Sequence, residues 1–428
     1  MANIDRRSFL GTAGFIAAGS SLRDSRAVGA NDKLRVGVVG VRSRGYDLAK
    51  LFAENKGVEV VALCDIDDAN FAKPVSAVEK ISGQAPWIEK DFRRLLDDKS
   101  IDVIANATPD HWHALVAVMA CQAGKDVYTE KPASHNVVEG RRMIQAARKY
   151  NRVVQVGIQR RSMDHVKEAV AYTKSGALGD VGMARAWIHQ QRKPIGHGTP
   201  GPVPKGVDYE MWQGPALDRP FMANRFHYNW HWFWNWGTGE LGNNGIHGLD
   251  VARWGLGVDA PIAVTSGGGK FVFDDDQEVP DTQVVTWEFP KAAIVWEHRM
   301  WSKHGTEGQG FGIAFYGDKG TLVVDEKEWS VVDPDGKKPE KPEGGKATNG
   351  MSAHIQNFLD CVRSREKPNA DIEVGHLSTR LCHLGNIAHR MGRKLTFDVD
   401  REAFKEAPDA DKLLGREYGS RFEMPTQG

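Results

Sequence analysis

Short apolar runs alternate with amphipathic segments between residues 33 and 155. The apolar runs predict buried strands, and the amphipathic segments predict helices. The predicted strands are 34–40, 58–64, 101–107 and 126–129, and the clearest helices are 46–55 and 113–123. This alternation is typical of a doubly wound parallel sheet with helices on both faces, in which ligands bind at the carboxyl ends of the strands.

The pattern changes after residue 155, where apolar and polar positions alternate with a period of two in several segments. These segments predict strands at 181–191, 263–273, 282–289, 292–300, 312–316, 320–325 and 394–397. Amphipathic segments predict helices at 164–175, 351–364 and 372–391. We therefore expect a first domain over residues 31–155, a second α/β domain over 156–398, and a C-terminal tail over 399–428 that lies on the surface.

The N-terminus carries the features of an export signal. Paired arginines, Arg6-Arg7, precede a mild apolar run over 9–19, and small residues suited to cleavage end at Ala30. The pattern predicts a twin-arginine signal peptide over residues 1–30 and a periplasmic location. The alternative is an ordinary basic amphipathic N-terminal helix.

Composition narrows the classes of partner. Lys+Arg and Asp+Glu both total 56, so the chain has no net basic field to attract nucleic acid or anionic lipid. No later segment reaches a transmembrane length, and we expect no membrane insertion of the mature form. Thirteen tryptophans favour a carbohydrate-like ligand. The four cysteines show no metal-ligand spacing, and we expect buried thiols.

A glycine turn follows the first predicted strand and precedes the first helix. It has the GxGxxG spacing of a dinucleotide-binding turn, but Arg42 replaces the second glycine. Arg42 could instead lie over the phosphates at the helix N-terminus. Asp65 ends the second strand, where it could accept the ribose hydroxyls of NAD, while Arg42 and Arg44 keep NADP open. The alternative is an acidic turn residue that binds no ligand. The turn residues are Gly40, Val41, Arg42, Ser43, Arg44 and Gly45.

A second conspicuous stretch is GTGELGNNGIHGLDVARW, at 237–254. Read as a helix, it places Asn243, His247 and Asp250 on one face. The aromatic run before it predicts an extended segment with its indoles on one face, which either stack on a sugar or pack in a core. Those indoles belong to Trp230, Trp232, Trp234 and Trp236. His227 and His231 could join His247 in a zinc site, but no HExxH motif or cysteine supports it, and we expect no metal.

The segment Tyr128-Thr129-Glu130-Lys131-Pro132 follows another predicted strand. Together with the glycine turn, Asp65, the stretch ATPDHWH at 107–113 and GIHGLD at 245–250, it resembles the Gfo/Idh/MocA oxidoreductases, the family of glucose–fructose oxidoreductase and inositol dehydrogenase. The likeness runs over nearly all of the chain after residue 30. The leader, the tryptophan-rich insert and Arg416-Glu417-Tyr418 suggest an exported branch of that family.

The resemblance implies an N-terminal Rossmann domain, a C-terminal α/β domain with a large, mostly antiparallel open sheet, and a homodimer or homotetramer. It implies that Lys131 lies beside the nicotinamide and shares the proton transfer with His247, and that Lys131-Pro132 is a candidate cis bond. The family often has an aspartate where this chain has Asn243, which we include in the catalytic set. Besides the glycine turn, Asp65 and Lys131, the expected cofactor residues are Thr108, Pro109, His111, His113, Glu130 and Gln159. The expected substrate residues are Arg160, His227, Tyr228, Trp230, His231, Trp232, Asn243 and His247.

Three functions remain open at this point. The first is an NAD(P)-dependent oxidoreductase that moves a hydride between a tightly bound cofactor and a hydroxyl carbon of a sugar, glycoside or cyclitol. The second is a redox-assisted glycoside hydrolase, in which transient oxidation permits elimination and hydration, with His227, His231 or Tyr228 as a second base. The third is a catalytically silent sugar- or nucleotide-binding protein.

Overall fold

The computed structural model describes residues 33–337 and 349–425. The predicted signal peptide lies outside these residues, and so does most of the charged segment near residue 340. Within the described ranges, no helix has the length and apolarity needed to cross a membrane.

The first sheet is parallel, with the strand order β3-β2-β1-β4-β5-β6. Its strands are β1 (Leu34–Val39), β2 (Val58–Cys64), β3 (Trp87–Glu89), β4 (Val103–Asn106), β5 (Asp126–Thr129) and β6 (Val154–Val156). Its helices are α1 (Ser43–Ala53), α2 (Ala72–Ser82), α3 (Phe92–Asp97), α4 (Asp110–Gln122) and α5 (Val137–Lys149). The order turns back between β1 and β4, so ligands are expected at the carboxyl ends of these two strands. This is the doubly wound sheet that the sequence predicts.

The second sheet is mixed and mostly antiparallel, with the order β13-β12-β11-β7-β10-β9-β8-β14-β15. Among the described strands, β7 and β10 form its parallel pair. Its strands are β7 (Val181–His189), β8 (Ala263–Gly269), β9 (Thr282–Glu288), β10 (Ala293–Arg299), β11 (Phe311–Gly317), β12 (Gly320–Val324), β13 (Trp329–Val332), β14 (Leu395–Asp398) and β15 (Ala403–Phe404). The helices that accompany it are α6 (Asp164–Lys174), α7 (Tyr209–Gln213), α8 (Ile246–Leu256), α9 (Gly350–Ser364), α10 (Ile372–Met391) and α11 (Pro408–Asp411).

Glycines let α8 lie close to the second sheet. A Cβ on Gly248 would come within 2.8 Å of the Ala186 side chain, and one on Gly255 within 2.3 Å of the Phe315 ring. Side chains larger than hydrogen at these positions would push the helix away from the sheet. These glycines therefore set the distance between the helix and the sheet, and with it the position of His247 relative to the sheet.

Late segments of the chain complete the first domain. Phe358 of α9 packs edge-on against Phe52 and Tyr128, under the first sheet. Beyond residue 398, where we expected a surface tail, Phe404, Ala410, Leu414 and Met424 are buried. The expectation was wrong because this segment carries apolar residues that pack on α4 and α5: the Phe422 ring lies 5.0 Å from the Trp112 ring, and Leu414 O accepts a hydrogen bond from Val138 N.

The aromatic run before α8 is not an extended segment. Residues Asn229–Trp232 form a short 3-10 helix, and Leu241–Gly245 form a π-helical turn that leads into α8. The period-two prediction therefore fails, because a 3-10 helix replaces the extended backbone on which that period depends. Trp230, Trp232 and Trp236 are buried in a satellite core with Trp212 and Phe233. The four cysteines, which all lie in the described ranges, are buried free thiols.

Candidate functional site

A cavity of about 410 Å³, here called the front cavity, lies at the carboxyl ends of the first sheet and faces α8. Its size falls within the ~300–1,000 Å³ usual for small-molecule sites. Of the residues predicted from the sequence, it brings together Gly40, Arg42, Ser43, Arg44, Asp65, Thr108, Pro109, His113, Glu130, Lys131, Gln159, His227, Tyr228, Trp230, His231, Asn243 and His247. Val41, Gly45, His111, Arg160 and Trp232 do not line it.

The glycine turn fits the backbone closely around the start of α1. Gly40 has φ +77°, and a Cβ there would come within 2.8 Å of Ala107 O. A Cβ on Gly45 would come within 1.7 Å of Gly40 O, so Gly45 acts by allowing the helix and strand to meet rather than by lining the cavity. Helix α1 begins after Arg42 without a side-chain cap, and its amino end faces the cavity. An uncapped helix N-terminus of this kind can receive a phosphate group.

Asp65 is buried at the end of β2 and is held by local donors. Its Oδ2 accepts from Val41 N at 2.8 Å, and its Oδ1 accepts from Asp67 N at 3.1 Å and from Asn70 Nδ2 at 3.0 Å. A carboxylate offers about four acceptor positions. One position therefore remains for a ribose hydroxyl, whereas a 2′-phosphate would meet a buried negative charge.

Glu130 and Arg44 form an ion pair at the floor of the cavity, with 2.7 Å between Arg44 Nε and Glu130 Oε1. Burial alone would raise the pKa of Glu130, but Arg44 and Lys131 outweigh it and hold that pKa below its usual range. Gly157 leaves the space that this carboxylate fills, because a Cβ there would come within 2.9 Å of its oxygens. Arg44 is thus committed to Glu130 within the protein.

Lys131 lies just after β5. The peptide bond that joins it to Pro132 is cis, as the sequence suggested. Its Nζ donates to Asn243 O at 2.7 Å and to Asn243 Oδ1 at 2.9 Å. Burial lowers the pKa of Lys131 below its ordinary value, although Glu130, Asp110 and Glu240 act in the opposite direction. Asn243 therefore holds the lysine through two acceptors and adds no charge.

A carboxylate that the sequence reasoning missed lies behind Asn243. Glu240 is buried, and its Oε2 accepts from Asn243 Nδ2 at 3.4 Å and from Arg192 Nη2 at 3.2 Å. Arg192 Nη1 also donates to the Tyr228 hydroxyl at 3.1 Å. Spacing could have indicated Glu240, since it stands three residues before Asn243 and one turn of helix brings the two side chains together.

His247 projects from the first turn of α8 into the front cavity. Its Nδ1 is buried and has no partner among the described residues. Burial, together with the positive charges of Lys131 and Arg160, holds its pKa well below the ordinary histidine value. The ring is therefore neutral near pH 7, with polar atoms available to a ligand.

Three further predicted residues form the wall opposite the first sheet. His231 Nδ1 lies 2.6 Å from Tyr228 O, and the His231 ring stacks on Trp230 with 3.6 Å between centroids. Because the carbonyl can only accept, Nδ1 carries the proton and Nε2 of the neutral ring is an acceptor. His227 Nε2 lies 2.8 Å from Asp67 Oδ2, which ties this wall to the loop after β2.

The residues that miss the cavity have structural partners instead. His111 Nε2 contacts Trp212 O at 2.9 Å, and Arg160 packs over the Phe311 ring. Trp232 packs in the satellite core, and Arg192 lies over its ring. Asp250 follows His247 by three residues in the same helix, but its carboxylate pairs with Arg161 at 2.8 Å and does not line the front cavity. In the part of the chain that the structure describes, no three His, Cys, Asp or Glu residues form a metal-binding cluster.

Family models match both halves of the chain. The model described as "Oxidoreductase family, NAD-binding Rossmann fold" matches residues 34–158, and the one described as "Oxidoreductase family, C-terminal alpha/beta domain" matches residues 217–397. Together they span well over half of the sequence.

Curated relatives and solved structures give more distant matches. Glycosyl hydrolase family 109 protein 1 of Shewanella sp. (strain ANA-3) is 28% identical over 232 residues, which are 46% of this chain and 50% of that protein. The alpha-N-acetylgalactosaminidase of Shewanella oneidensis matches with the same identity and coverage. The chain thus spans about half the length of these relatives.

Two solved structures share the fold over their whole length. The aldose-aldose oxidoreductase of Caulobacter crescentus has a TM-score of 0.65 and 22% identity, covering 85% of this chain and 100% of that one. The WlbA dehydrogenase of Bordetella pertussis, in complex with NADH and UDP-GlcNAcA, has a TM-score of 0.64 and 20% identity, covering 86% and 100%.

Proposed function

The chain belongs to the Gfo/Idh/MocA family of NAD-binding oxidoreductases, and we propose that it moves a hydride between NAD and a hydroxyl carbon of a sugar, glycoside or cyclitol. The observation that carries the proposal is the position of Lys131 Nζ, fixed on Asn243 in the same cavity as His247. The uncapped start of α1, the close turn at Gly40 and the buried Asp65 fit a dinucleotide. When bound, NAD accepts the hydride from the substrate carbon.

Lys131 is suited to accept the hydroxyl proton. Burial lowers its pKa toward neutrality, which favours general-base catalysis. In the neutral amine, the two N–H groups would donate to the two oxygens of Asn243, and the lone pair would point to the remaining tetrahedral position. We propose that this position receives the substrate proton.

His247 then has a different task from Lys131. Its lowered pKa makes it a poor proton store, but a neutral imidazole can donate or accept one hydrogen bond. We propose that it orients the reacting hydroxyl and that Lys131 is the immediate proton acceptor. The NADP alternative is less favourable, because the buried carboxyl group of Asp65 lies where the ribose of a dinucleotide is expected and would oppose a 2′-phosphate.

The direct test starts from the purified protein. Any retained nucleotide is identified by mass spectrometry, and sugars, glycosides and cyclitols are screened for a change in absorbance of the reduced nicotinamide. We expect NAD to be retained and at least one carbohydrate to reduce it. The proposal fails if the protein neither retains nor binds NAD or NADP. It also fails if no polyol changes the redox state of the bound nicotinamide in either direction.

A second candidate is a redox-assisted glycoside hydrolase, which the names of the curated relatives favour. Oxidation at C3 of the glycoside acidifies the C2 proton, a base removes that proton, and the aglycone leaves from C1. Water then adds at C1, the proton returns to C2, and the hydride returns to C3, so no net redox change occurs. His231 Nε2, the acceptor nitrogen in the opposite wall, is our candidate for this base, and it would be a weak one because burial lowers the pKa of His231 to about 3.

Chromogenic glycosides separate the two functions. Cleavage of a p-nitrophenyl N-acetylgalactosaminide with no net change in nicotinamide absorbance would support the hydrolase. Carbohydrate oxidation without release of nitrophenol would support the dehydrogenase. A silent binding protein would show neither, and the intact Lys131 and His247 argue against it.

Location and assembly are also proposals. The paired arginines at Arg6-Arg7 support export to the periplasm through the twin-arginine route. The family resemblance supports a homodimer or homotetramer. Fractionation of the producing cells tests the first proposal, and light scattering of the purified protein tests the second.

A further inference from the structure

A second cavity, here called the rear cavity, has a volume of about 380 Å³ and lies between the start of α5, α10 and residues 412–417. Thr238 separates it from the front cavity. The Thr238 hydroxyl donates to Asp110 Oδ2 at 2.6 Å, and Asp110 lines the front cavity while Thr238 lines the rear one. The two cavities are therefore distinct but share a wall.

Two buried donors in the rear cavity lack acceptors. Asn136 is 4% exposed, and its Oδ1 accepts from Glu139 N at 2.9 Å and caps α5. Its Nδ2 lies near the Glu139 carboxylate but makes no well-formed hydrogen bond within the described residues. Arg416 donates through Nη2 to Pro215 O and Asn235 O, while its Nη1 is buried and unpaired within the same ranges. A buried donor without an acceptor destabilises the protein, so a ligand that supplies the acceptor is favoured.

The charged side chains that line the rear cavity are mainly cationic, so they would attract the same kind of ligand as these donors. Its walls carry four cationic side chains, Arg219, Arg390, Lys412 and Arg416, against one carboxylate, Glu417. Arg219 is paired with Glu278, and Glu139 lies near Arg416, so part of the charge is already balanced. The positive end of the α5 dipole adds to what remains.

Neutral polar groups complete the walls. His383 is 5% exposed, and its Nε2 has no partner among the described residues. Burial lowers the pKa of His383 to about 3, so its ring is neutral; the other ring nitrogen bonds to the Ser134 backbone, which leaves Nε2 as an acceptor for a sugar hydroxyl. Trp234 offers an aromatic surface beside these groups. An aromatic ring next to polar groups is the combination that binds a sugar ring.

We propose that the rear cavity is a second binding site, which takes a small oxyanion such as a carboxylate or phosphate group, either free or carried on a sugar. The ligand supplies the acceptors that Asn136 and Arg416 lack, and its charge meets the cationic wall. This site is independent of the hydride chemistry proposed for the front cavity.

Calorimetric titration of the full-length protein tests the site, with D-glucuronate, inorganic phosphate and neutral D-glucose as probes. The key variant is Asn136→Asp, because aspartate also caps a helix but replaces the unpaired donor with a negative charge. Arg390→Gln removes a charge from the exposed rim, and Arg401→Gln removes an exposed arginine outside the cavity as a control. Lys131→Met reports on binding in the front cavity.

We expect Asn136→Asp to raise the Kd for the anionic probe at least tenfold and Arg390→Gln to raise it severalfold, with Arg401→Gln and Lys131→Met unchanged. Glucuronate binding without phosphate binding identifies an acidic sugar, and binding of both identifies the anionic group alone. Thermal melting confirms that Asn136→Asp is folded. The proposal is overturned if neither anion binds, if both cavity variants bind like the wild type, or if Lys131→Met abolishes the binding.

Discussion

The front and rear cavities differ in how their polar groups are satisfied. In the front cavity, Lys131 is held by Asn243 and Glu130 is paired with Arg44. In the rear cavity, Asn136 and Arg416 keep buried donors without acceptors among the described residues. The charged groups of the front cavity are thus organised by the protein before any ligand arrives, as catalysis requires, although His247 Nδ1 has no partner there among the described residues. The rear cavity is completed by a ligand, as a binding site requires.

The largest effect is expected when the amine of Lys131 is removed from the front cavity. Lys131→Met should lower kcat by about 10²–10⁴-fold, the usual contribution of a general base. Steady-state kinetics on the substrate found in the carbohydrate screen measure the loss. Lys149→Met, which alters an exposed lysine on α5, serves as the matched control and should leave kcat unchanged. Equal turnover in wild type and Lys131→Met would remove Lys131 from the mechanism.

The next prediction concerns the charge behind the lysine. The carboxylate of Glu240 raises the pKa of Lys131, so Glu240→Gln should lower that pKa. The lysine would then stay neutral to a lower pH, and the acidic limb of the kcat/KM profile should move to lower pH. We expect kcat/KM to fall about tenfold at its optimum, because glutamine keeps one acceptor oxygen and turns the other into an NH2 donor, so that either Asn244 or the pair Arg192 and Asn243 loses its acceptor.

The pH profile distinguishes this positioning role from a general loss of structure. Glu326→Gln changes an exposed carboxylate outside the front cavity and should leave the acidic limb in place. A Glu240→Gln enzyme that loses activity with an unshifted limb would show that Glu240 acts only through packing.

The third prediction concerns the hydrogen bond between Thr238 and Asp110 in the wall that the two cavities share, which Thr238→Val removes. The substitution keeps the shape of the side chain but removes the hydroxyl that donates to Asp110. Burial already raises the pKa of Asp110, and loss of this donor should raise it further. We expect the free energy of unfolding to fall by about 1–3 kcal/mol at pH 7. Urea unfolding measures this change, and Thr238→Ser should restore most of the stability.

The smallest expected effect is the pH dependence contributed by the rear cavity. His383 has an ordinary pKa of 6.5 when unfolded and about 3 when folded. Between these values the unfolded chain binds more protons, so stability is present above pH 6.5 and is lost as the pH falls toward 3. We expect His383→Asn to lessen the loss between pH 7 and pH 5 by at most about 2 kcal/mol. If the melting temperatures of wild type and variant fell equally between pH 7 and pH 5, this contribution of His383 would be refuted.

Much of the framework follows from local pattern. The strands Val58–Cys64 and Asp126–Thr129 and the helix Ile372–Met391 have the predicted bounds. Buried strands in a parallel sheet are continuous apolar runs, and a long amphipathic helix repeats its signal over many turns. Their boundaries could therefore be predicted without tertiary information.

The predicted site residues that do not line the front cavity have partners that depend on tertiary packing. His111 was expected at the cofactor but bonds to Trp212 O, a backbone group far away in sequence. Trp232 was expected at the substrate, but the 3-10 turn directs it into the satellite core. Arg160 stacks on Phe311 of the second sheet. Periodicity cannot reveal such partners, because they come together only when the two domains pack.

The packing of Leu414, Phe422 and Met424 against the first domain has a consequence for the order of folding. The first domain begins at β1, yet α9 and these last residues finish its surface. A ribosome must therefore release the chain as far as about residue 424 before that domain can reach its final form. Until then Trp112 and α5 lack their covering, so the first part of the protein to be synthesised is among the last to be completed.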